Sequence, residues 1–124
     1  MKFYSLLDKK AYEEDLSELF SKGHRAGAVT VSENGIFVKK GLKTYYIAYN
    51  NAERIFRRVR MVDANVCCGK GQMNFDYLVV MADNKEVLEV QLPGSKAAKL
   101  IFDEMKGLSP ETDFEAPKKA AEAV

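Results

Sequence analysis

Residues 85–107 read KEVLEVQLPGSKAAKLIFDEMKG, in which a strand, a turn and an amphipathic helix follow one another. Apolar and polar residues alternate over 86–92, and this period of two predicts a strand with one buried face. Pro93-Gly94 interrupts the alternation, and Ser95 is a good N-cap for a helix. The apolar residues of that helix share one face, at the spacing i, i+3, i+4, i+7: Ala98, Ile101, Phe102 and Met105. Gly107 predicts the end of the helix.

The chain upstream of this stretch, from Ala28 onward, has the pattern of consecutive strands. Asn34-Gly35 stands between two alternating runs, which is the strongest short signal for a β-hairpin. A second turn at Lys40-Gly41 leads into a strand over 43–49. One apolar helix face must therefore cover a sheet that is made of the preceding strands.

The arginine-rich segment Arg54–Val62 is harder to place. Taken as a straight strand, it has apolar side chains and arginines on both faces, and this predicts a β-bulge near Phe56-Arg57. We expect a loop or frayed strand end over 65–74, followed by a strongly apolar strand over 75–81. The count is six to seven antiparallel strands.

The residues before Ala28 predict an additional helix. Phe3–Leu7 fits a short strand or the lead-in to a helix, Asp8 is a good N-cap, and Gly23 is a natural stop. We expect a helix over about 9–22 with one apolar stripe: Tyr12, Leu16, Leu19 and Phe20. This candidate interaction face should contact protein, either within the chain or across a dimer.

Together these patterns predict a mainly β fold with helices, namely a barrel or sandwich with a C-terminal capping helix and an extra N-terminal helix. The 124 residues fit one domain. We divide the chain into an accessory helix (1–27), a barrel with its capping helix (28–108) and a tail (109–124). The tail lacks apolar periodicity and is expected to be mobile, with Phe114 as a local anchor.

The overall charge excludes a global electrostatic attraction to nucleic acid or to an anionic membrane. There are 19 Lys and Arg residues against 18 Asp and Glu, which gives a net charge of +1. No apolar run approaches the roughly 20 residues that a spanning helix needs, and the start lacks the apolar middle of a secretory signal. We predict a cytoplasmic protein, with peripheral attachment to a membrane left open.

The order of the elements resembles the pleckstrin-homology (PH-like) superfold, in which two sheets form a part-open barrel and a C-terminal helix plugs one end. The segments that carry the resemblance span about residues 28–107: GIFVKK (35–40), KTYYIAYNNAERIF (43–56), GQMNFDYLVVM (71–81) and GSKAAKLIFDEMKG (94–107). The chain is similar to bacterial PH-like and GRAM-like domains, and its middle segment to PH-like modules of histone chaperones. The resemblance implies a non-catalytic binding or adaptor module.

The chain departs from the phosphoinositide-binding members of that superfold in two respects. Those members carry a basic motif across the first hairpin, which residues 28–38 lack. A Trp is common near the start of their closing helix, and this chain contains no Trp.

Basic residues are nevertheless concentrated in two regions that we take as a candidate anion site: Lys39, Lys40, Lys43, Arg57, Arg58 and Arg60. If the two regions meet, their side chains could hold a phospholipid headgroup, a phosphate or an acidic peptide. The alternative is a solvated sheet face whose charges protect an edge from aggregation.

No catalytic or metal-binding constellation stands out. Gly69-Lys70-Gly71-Gln72 lacks the following helix that a phosphate loop needs, so a flexible loop is the simpler interpretation. The adjacent Cys67 and Cys68 are poorly placed to form a disulfide with each other, and a packing role is favoured over redox sensing. With His24 as the sole histidine, the sequence predicts no enzyme, no cofactor and no metal.

Three hypotheses for the function remain. The first is a PH-like module that binds a protein segment or an anionic ligand such as a lipid headgroup. The second is a small-molecule sensor or an enzyme with a pocket at the barrel mouth. The third is a self-associating structural subunit, which would make the chain a homo-oligomer. A protein or an anionic lipid surface is the expected partner, and nucleic acid is disfavoured.

Overall fold

The computed structural model describes residues 2–66 and 69–115, with side chains described outside 62–73. The elements in chain order are β1 (Phe3–Ser5), α1 (Ser17–Ser21), β2 (His24–Ala26), β3 (Val29–Val31), β4 (Gly35–Lys40), β5 (Lys43–Ala48), β6 (Arg54–Val66), β7 (Gly69–Ala82), β8 (Lys85–Gln91) and α2 (Ser95–Leu108). A 3-10 turn, Tyr49–Asn51, joins β5 to β6. The predictions for Cys67, Cys68 and residues 116–124 lie outside the described residues.

The strands form two sheets, so the prediction of a mainly β protein with a C-terminal helix is confirmed. The first sheet has the order β1-β5-β4-β3-β2, and the second has the order β6-β7-β8. Over the described residues the two sheets do not close into a barrel. Strands β2 to β5 form an antiparallel meander, to which β1 adds as a parallel neighbour of β5.

The predicted hairpin at Asn34-Gly35 joins β3 to β4. The Ser32 N–H donates to the Gly35 carbonyl at 2.9 Å, and Val31 then pairs with Ile36. A glycine is required at position 35 because β5 passes close to its backbone. A Cβ atom added there would lie 2.2 Å from the carbonyl oxygen of Ile47.

Helix α2 bridges the two sheets through the apolar face that the sequence predicted. Its four stripe residues are buried, and they contact apolar side chains of β2, β3 and β7: Ala98, Ile101, Phe102 and Met105. Lys96, Lys99 and Lys106 are exposed, as the same pattern requires. We call the side of the five-stranded sheet that faces α2 its inner face.

The outer face of the five-stranded sheet is covered as well. Phe3, Phe37 and Tyr46 form a second buried cluster on that side. The side chains that cover it come from the segment between β1 and β2: Tyr12, Leu16, Leu19 and Phe20. The ring centroids of Phe20 and Phe37 lie 5.1 Å apart. The stripe that was expected to contact protein therefore packs within its own chain.

The predicted helix over 9–22 is wrong, because only Ser17–Ser21 is helical. Phe3–Ser5 instead pairs with β5 as strand β1, and the chain turns back so that the Tyr12 N–H donates to the Phe3 carbonyl at 2.8 Å. Ala11 forms an isolated bridge with Tyr4. These non-local hydrogen bonds satisfy the backbone that a helix would otherwise have satisfied locally.

Three further expectations about the strands are corrected. There are eight strands over the described residues, one of them paired in parallel. The predicted β-bulge near Phe56-Arg57 is wrong, because β6 pairs with β7 without interruption there. A shift of register occurs instead in the pairing of β7 with β8, between Val80 and Met81. The residues expected to form a loop, 65–74, belong largely to strands β6 and β7. Because β8 begins to pair with β7 only at Tyr77, the outer part of the β6–β7 hairpin is a two-stranded ribbon.

The ends of α2 differ from the prediction by small amounts. Gly94 occupies the N-cap position, and Ser95 is the first helical residue, so no side-chain cap is made. Gly107 is helical, and the Ser109 N–H closes the last turn on the Met105 carbonyl at 2.8 Å. Beyond the helix, Phe114 packs edge-on against Phe102 with centroids 6.5 Å apart.

Truncating the core side chain Phe102 to alanine should destabilise the protein by roughly 3–5 kcal/mol, because the surrounding core cannot close the cavity. The control is Leu100→Ala on the same helix, where the side chain is 70% exposed and the change should stay within about 0.5 kcal/mol. Urea denaturation midpoints measure both. Equal shifts in the two variants would contradict the assignment of the buried face.

Removing the Tyr49 hydroxyl should lower the free energy of unfolding by about 1–3 kcal/mol, because a buried hydrogen-bond acceptor loses its donor. The hydroxyl of Tyr49 donates to the Ser32 carbonyl at 2.7 Å, and both residues are buried. Tyr77→Phe is the control, since its hydroxyl makes no hydrogen bond among the described residues. Thermal unfolding of Tyr49→Phe and Tyr77→Phe should therefore differ, and similar midpoints would contradict this role.

Candidate binding groove beside β2

The structure places the six residues of the candidate anion site in two different sheets. Lys39, Lys40 and Lys43 lie at the β4–β5 turn, where Lys40 pairs with Lys43. The three arginines lie on β6 of the other sheet: Arg57, Arg58 and Arg60. Among the described residues, no hydrogen bond or ion pair joins the two sets.

The three arginines are instead bound by carboxylates of their own sheet. Arg58 donates to Glu89 at 2.7 Å and also to Glu86, while Arg60 donates to Glu89 at 2.7 Å. Hydrogen bonds from Arg60 and Arg58 lower the pKa of the Glu89 carboxyl below its usual value. The hydrogen bond with Glu86 is the main reason that the pKa of Arg58 is raised. This arrangement leaves little uncompensated positive charge for a ligand.

Arg57 is paired on the opposite face of the same strand. Its Nε donates to Oδ1 of Asp76 at 2.7 Å, and Asp76 is only 4% exposed. A buried carboxylate without this partner would be costly, so the pair has a structural role.

The Arg58–Arg60 network also shields an apolar layer on the outer side of the three-stranded sheet. Phe56 and Val79 are buried there. The guanidinium of Arg58 lies 5.5 Å from the centroid of the Phe56 ring, and that of Arg60 lies 5.6 Å from the centroid of the Tyr77 ring. The network therefore resembles the protective sheet face that the sequence offered as the alternative to an anion site.

A groove of about 610 Å³ lies between β2 and α2. Strand β2 is the last strand of the five-stranded sheet, so within residues 2–66 and 69–115 one of its edges has no strand beside it. Most of the lining is apolar and comes from β2, the β8–α2 connection and α2: Ala26, Pro93, Ala97, Leu100 and Ile101. Leu100 is 70% exposed at the rim of this groove.

A polar pair ties the two walls of the groove together. Nδ1 of His24, on β2, lies 2.9 Å from Oε1 and 2.7 Å from Oε2 of Glu104, on α2. At the other end, the left-handed Gly27 lies against Pro93, and a Cβ atom added to Gly27 would meet Cγ of Pro93 at 3.1 Å. The groove is thus bounded at both ends by contacts between the sheet and the segment that contains α2.

A second, smaller pocket of about 160 Å³ adjoins the groove across β2. Its lining includes Phe20 and the two largely buried threonines Thr30 and Thr44. Two basic residues, Arg25 and Lys39, also line it, and Arg25 lines the large groove as well. The structure therefore brings one residue of the candidate anion site, Lys39, to a basic pocket that the sequence did not predict.

Sequence reasoning missed the groove, although one signal for it was present. Leu100 is an apolar residue of α2 that falls outside the buried stripe, on the side of the helix that carries lysines. Arg25 gave no comparable signal, because its place beside Lys39 depends on the pairing of β2 with β3 and of β3 with β4.

Comparison with family models, curated proteins and solved structures finds no match. Within residues 2–66 and 69–115, no helix has the length and apolar character needed to cross a bilayer. The same described residues contain no group of three or more His, Cys, Asp or Glu side chains placed to hold a metal ion.

Glu89→Gln should reduce the dependence of stability on pH in the acid range. A carboxyl whose pKa is lowered by folding adds stability above its unfolded pKa of about 4.3, and that stability is lost as the pH falls through the folded value. The exposed network limits the effect at pH 7 to about 1 kcal/mol.

Urea titrations between pH 7 and pH 3 measure this effect. The control is Glu33→Gln in the β3–β4 turn, where no ion pair is made among the described residues; it should keep the wild-type acid profile. An unchanged profile in Glu89→Gln would contradict the proposed contribution of the ion pairs.

Proposed function

We propose that the chain is a non-catalytic binding module of PH-like type, which takes an extended segment of a partner protein along β2 into the groove beside α2. One observation carries the proposal: an apolar groove of about 610 Å³ lies directly beside the open edge of a sheet. We place the module in the cytoplasm, in keeping with the sequence.

The arrangement of elements supports the PH-like type. Two antiparallel meanders, β2 to β5 and β6 to β8, are followed by one amphipathic helix that packs on both sheets. This is the order on which the resemblance to the PH-like superfold rests. The parallel strand β1 and the segment that follows it are additions to that plan.

An extended segment suits this site because a strand edge offers regularly spaced backbone groups. Alternate residues of an antiparallel strand direct their N–H and C=O groups away from the paired neighbour, and on β2 those groups face the open edge. A partner segment could add to the sheet through these groups, while its side chains fill the neighbouring groove. Backbone pairing supplies affinity in this mode, and the groove supplies selectivity.

The alternatives have weaker support. The arginines that would have bound an anionic headgroup are hydrogen-bonded to Glu86, Glu89 and Asp76. For an enzyme, two of the polar residues that line the groove, His24 and Glu104, are paired with each other, the third is Arg25, and the described lining includes no Ser or Cys. A small molecule would use the groove but not the strand edge beside it.

Leu100→Glu should weaken binding of a partner segment at least about tenfold, because it places a charge at the rim of an apolar groove. The probe is a set of seven-residue peptides selected from a random displayed library on the wild-type protein. Their affinity is then measured by fluorescence anisotropy, and amide NMR shifts map where they bind.

The matched control is Leu42→Glu, which makes the same chemical change at a fully exposed turn position away from the groove. It should leave the affinity unchanged, and circular dichroism should show both variants to be folded. The proposal fails if no peptide is selected, if both variants lose affinity equally, or if the shifted amides lie away from β2 and α2.

A further inference from the structure

We infer that the segment taken by β2 is acidic, with apolar side chains that alternate with Asp or Glu. This inference rests on the proposed function and specifies the chemistry of its ligand. It follows from the two different environments on the two sides of β2 at its open edge.

The inner side of β2 is apolar around Ala26, whereas His24 at the other end of the strand is paired with Glu104. Ala26 pairs with Val29, and both are buried in the core cluster that α2 covers. An added strand continues the pleat of the sheet, so every second side chain would point to this side. There it would meet Leu100, Ile101 and Pro93, which accept an apolar side chain without loss of a hydrogen bond.

The outer side of β2 is basic. Arg25 pairs with Thr30, and Thr30 pairs with Phe37, so these residues share the outer face with the small pocket. Lys39 pairs with Thr44 on the same face and lines the same pocket. The intervening side chains of an added strand would lie on the same face as these two cations, directly beside Arg25 and with Lys39 two strands beyond β2.

The charges of Arg25 and Lys39 are uncompensated within the described part of the chain. Nε of Arg25 donates to the Gly27 carbonyl at 3.1 Å, which holds the guanidinium near the β2–β3 turn. Neither Arg25 nor Lys39 forms an ion pair among the described residues, in contrast to Arg57, Arg58 and Arg60. A carboxylate would provide the missing partner, and the planar fork of an arginine suits its two oxygens.

The test compares two synthetic seven-residue peptides in which leucine alternates with either glutamate or lysine. The glutamate peptide should bind the wild-type protein at least about fivefold more tightly at low salt, and the difference should shrink as salt rises, because these charges are exposed to solvent. A third peptide, with serine in place of the charged residues, measures binding by the groove alone.

Two variants assign the preference to the basic pocket. Arg25→Glu and Lys39→Glu should each abolish or reverse the preference, measured as the ratio of the affinities for the glutamate and serine peptides. Because Arg25 also lines the groove, Lys39→Glu is the variant that should leave the affinity for the serine peptide unchanged. Lys85→Glu on β8 makes the same charge change outside both lining sets and should keep the preference.

The outcomes separate this inference from the function on which it rests. If all three peptides bind equally and Leu100→Glu weakens each, the groove takes a segment but the inference about its charge is overturned. If no peptide binds, both fail. If vesicles of phosphatidylcholine with phosphatidylserine bind in an Arg25-dependent manner and the glutamate peptide does not, the basic pocket serves a membrane surface and the inference is likewise overturned.

Discussion

Burial of the five-stranded sheet on both of its faces is the constraint on which the rest of the structure depends. Strand β4 shows it most directly, because Ile36, Phe37 and Val38 are consecutive and all three are buried. Since successive side chains of a strand point to opposite faces, each face needs its own cover. The inner face is covered by α2 and the second sheet, and the outer face by the segment between β1 and β2. Neither cover can be removed without exposing apolar surface to water.

The position of the groove follows from this arrangement. Helix α2 has to contact both sheets with one apolar stripe, and it reaches β2 at the end of the five-stranded sheet. Among the described residues no strand continues the sheet beyond β2, so Leu100 lies at the rim of the space beside that edge. The contact between His24 and Glu104 joins the two walls. The groove is thus a product of the core packing, held by the same helix that closes the core.

The sequence predicted the parts of the fold in which local pattern and tertiary packing agree. The stripe of α2 and the hairpin at Asn34-Gly35 were predicted correctly because both depend on residues within a few positions of one another. The helix over 9–22 was predicted wrongly, because Phe3–Ser5 pairs with β5, and a local sequence pattern does not indicate pairing between such distant segments. For the same reason the run of arginines indicated a charge concentration, but not the glutamates of β8 that neutralise it. Lys39 was part of the predicted basic concentration, but the position of Arg25 in the same pocket depends on the register of three strands, which the sequence does not give.

The parallel pairing of β1 with β5 has a consequence for the order in which the strands pair while the protein is synthesised. Phe3 pairs with Thr44, so roughly 40 residues must be synthesised after β1 before its partner exists. Closing a loop of that length carries an entropic cost that is recovered only once β5 is itself in place beside β4. Strand β1 therefore joins the sheet late, after β5 has paired with β4. Until it does so, the outer edge of β5 is open to pairing with a neighbouring nascent chain.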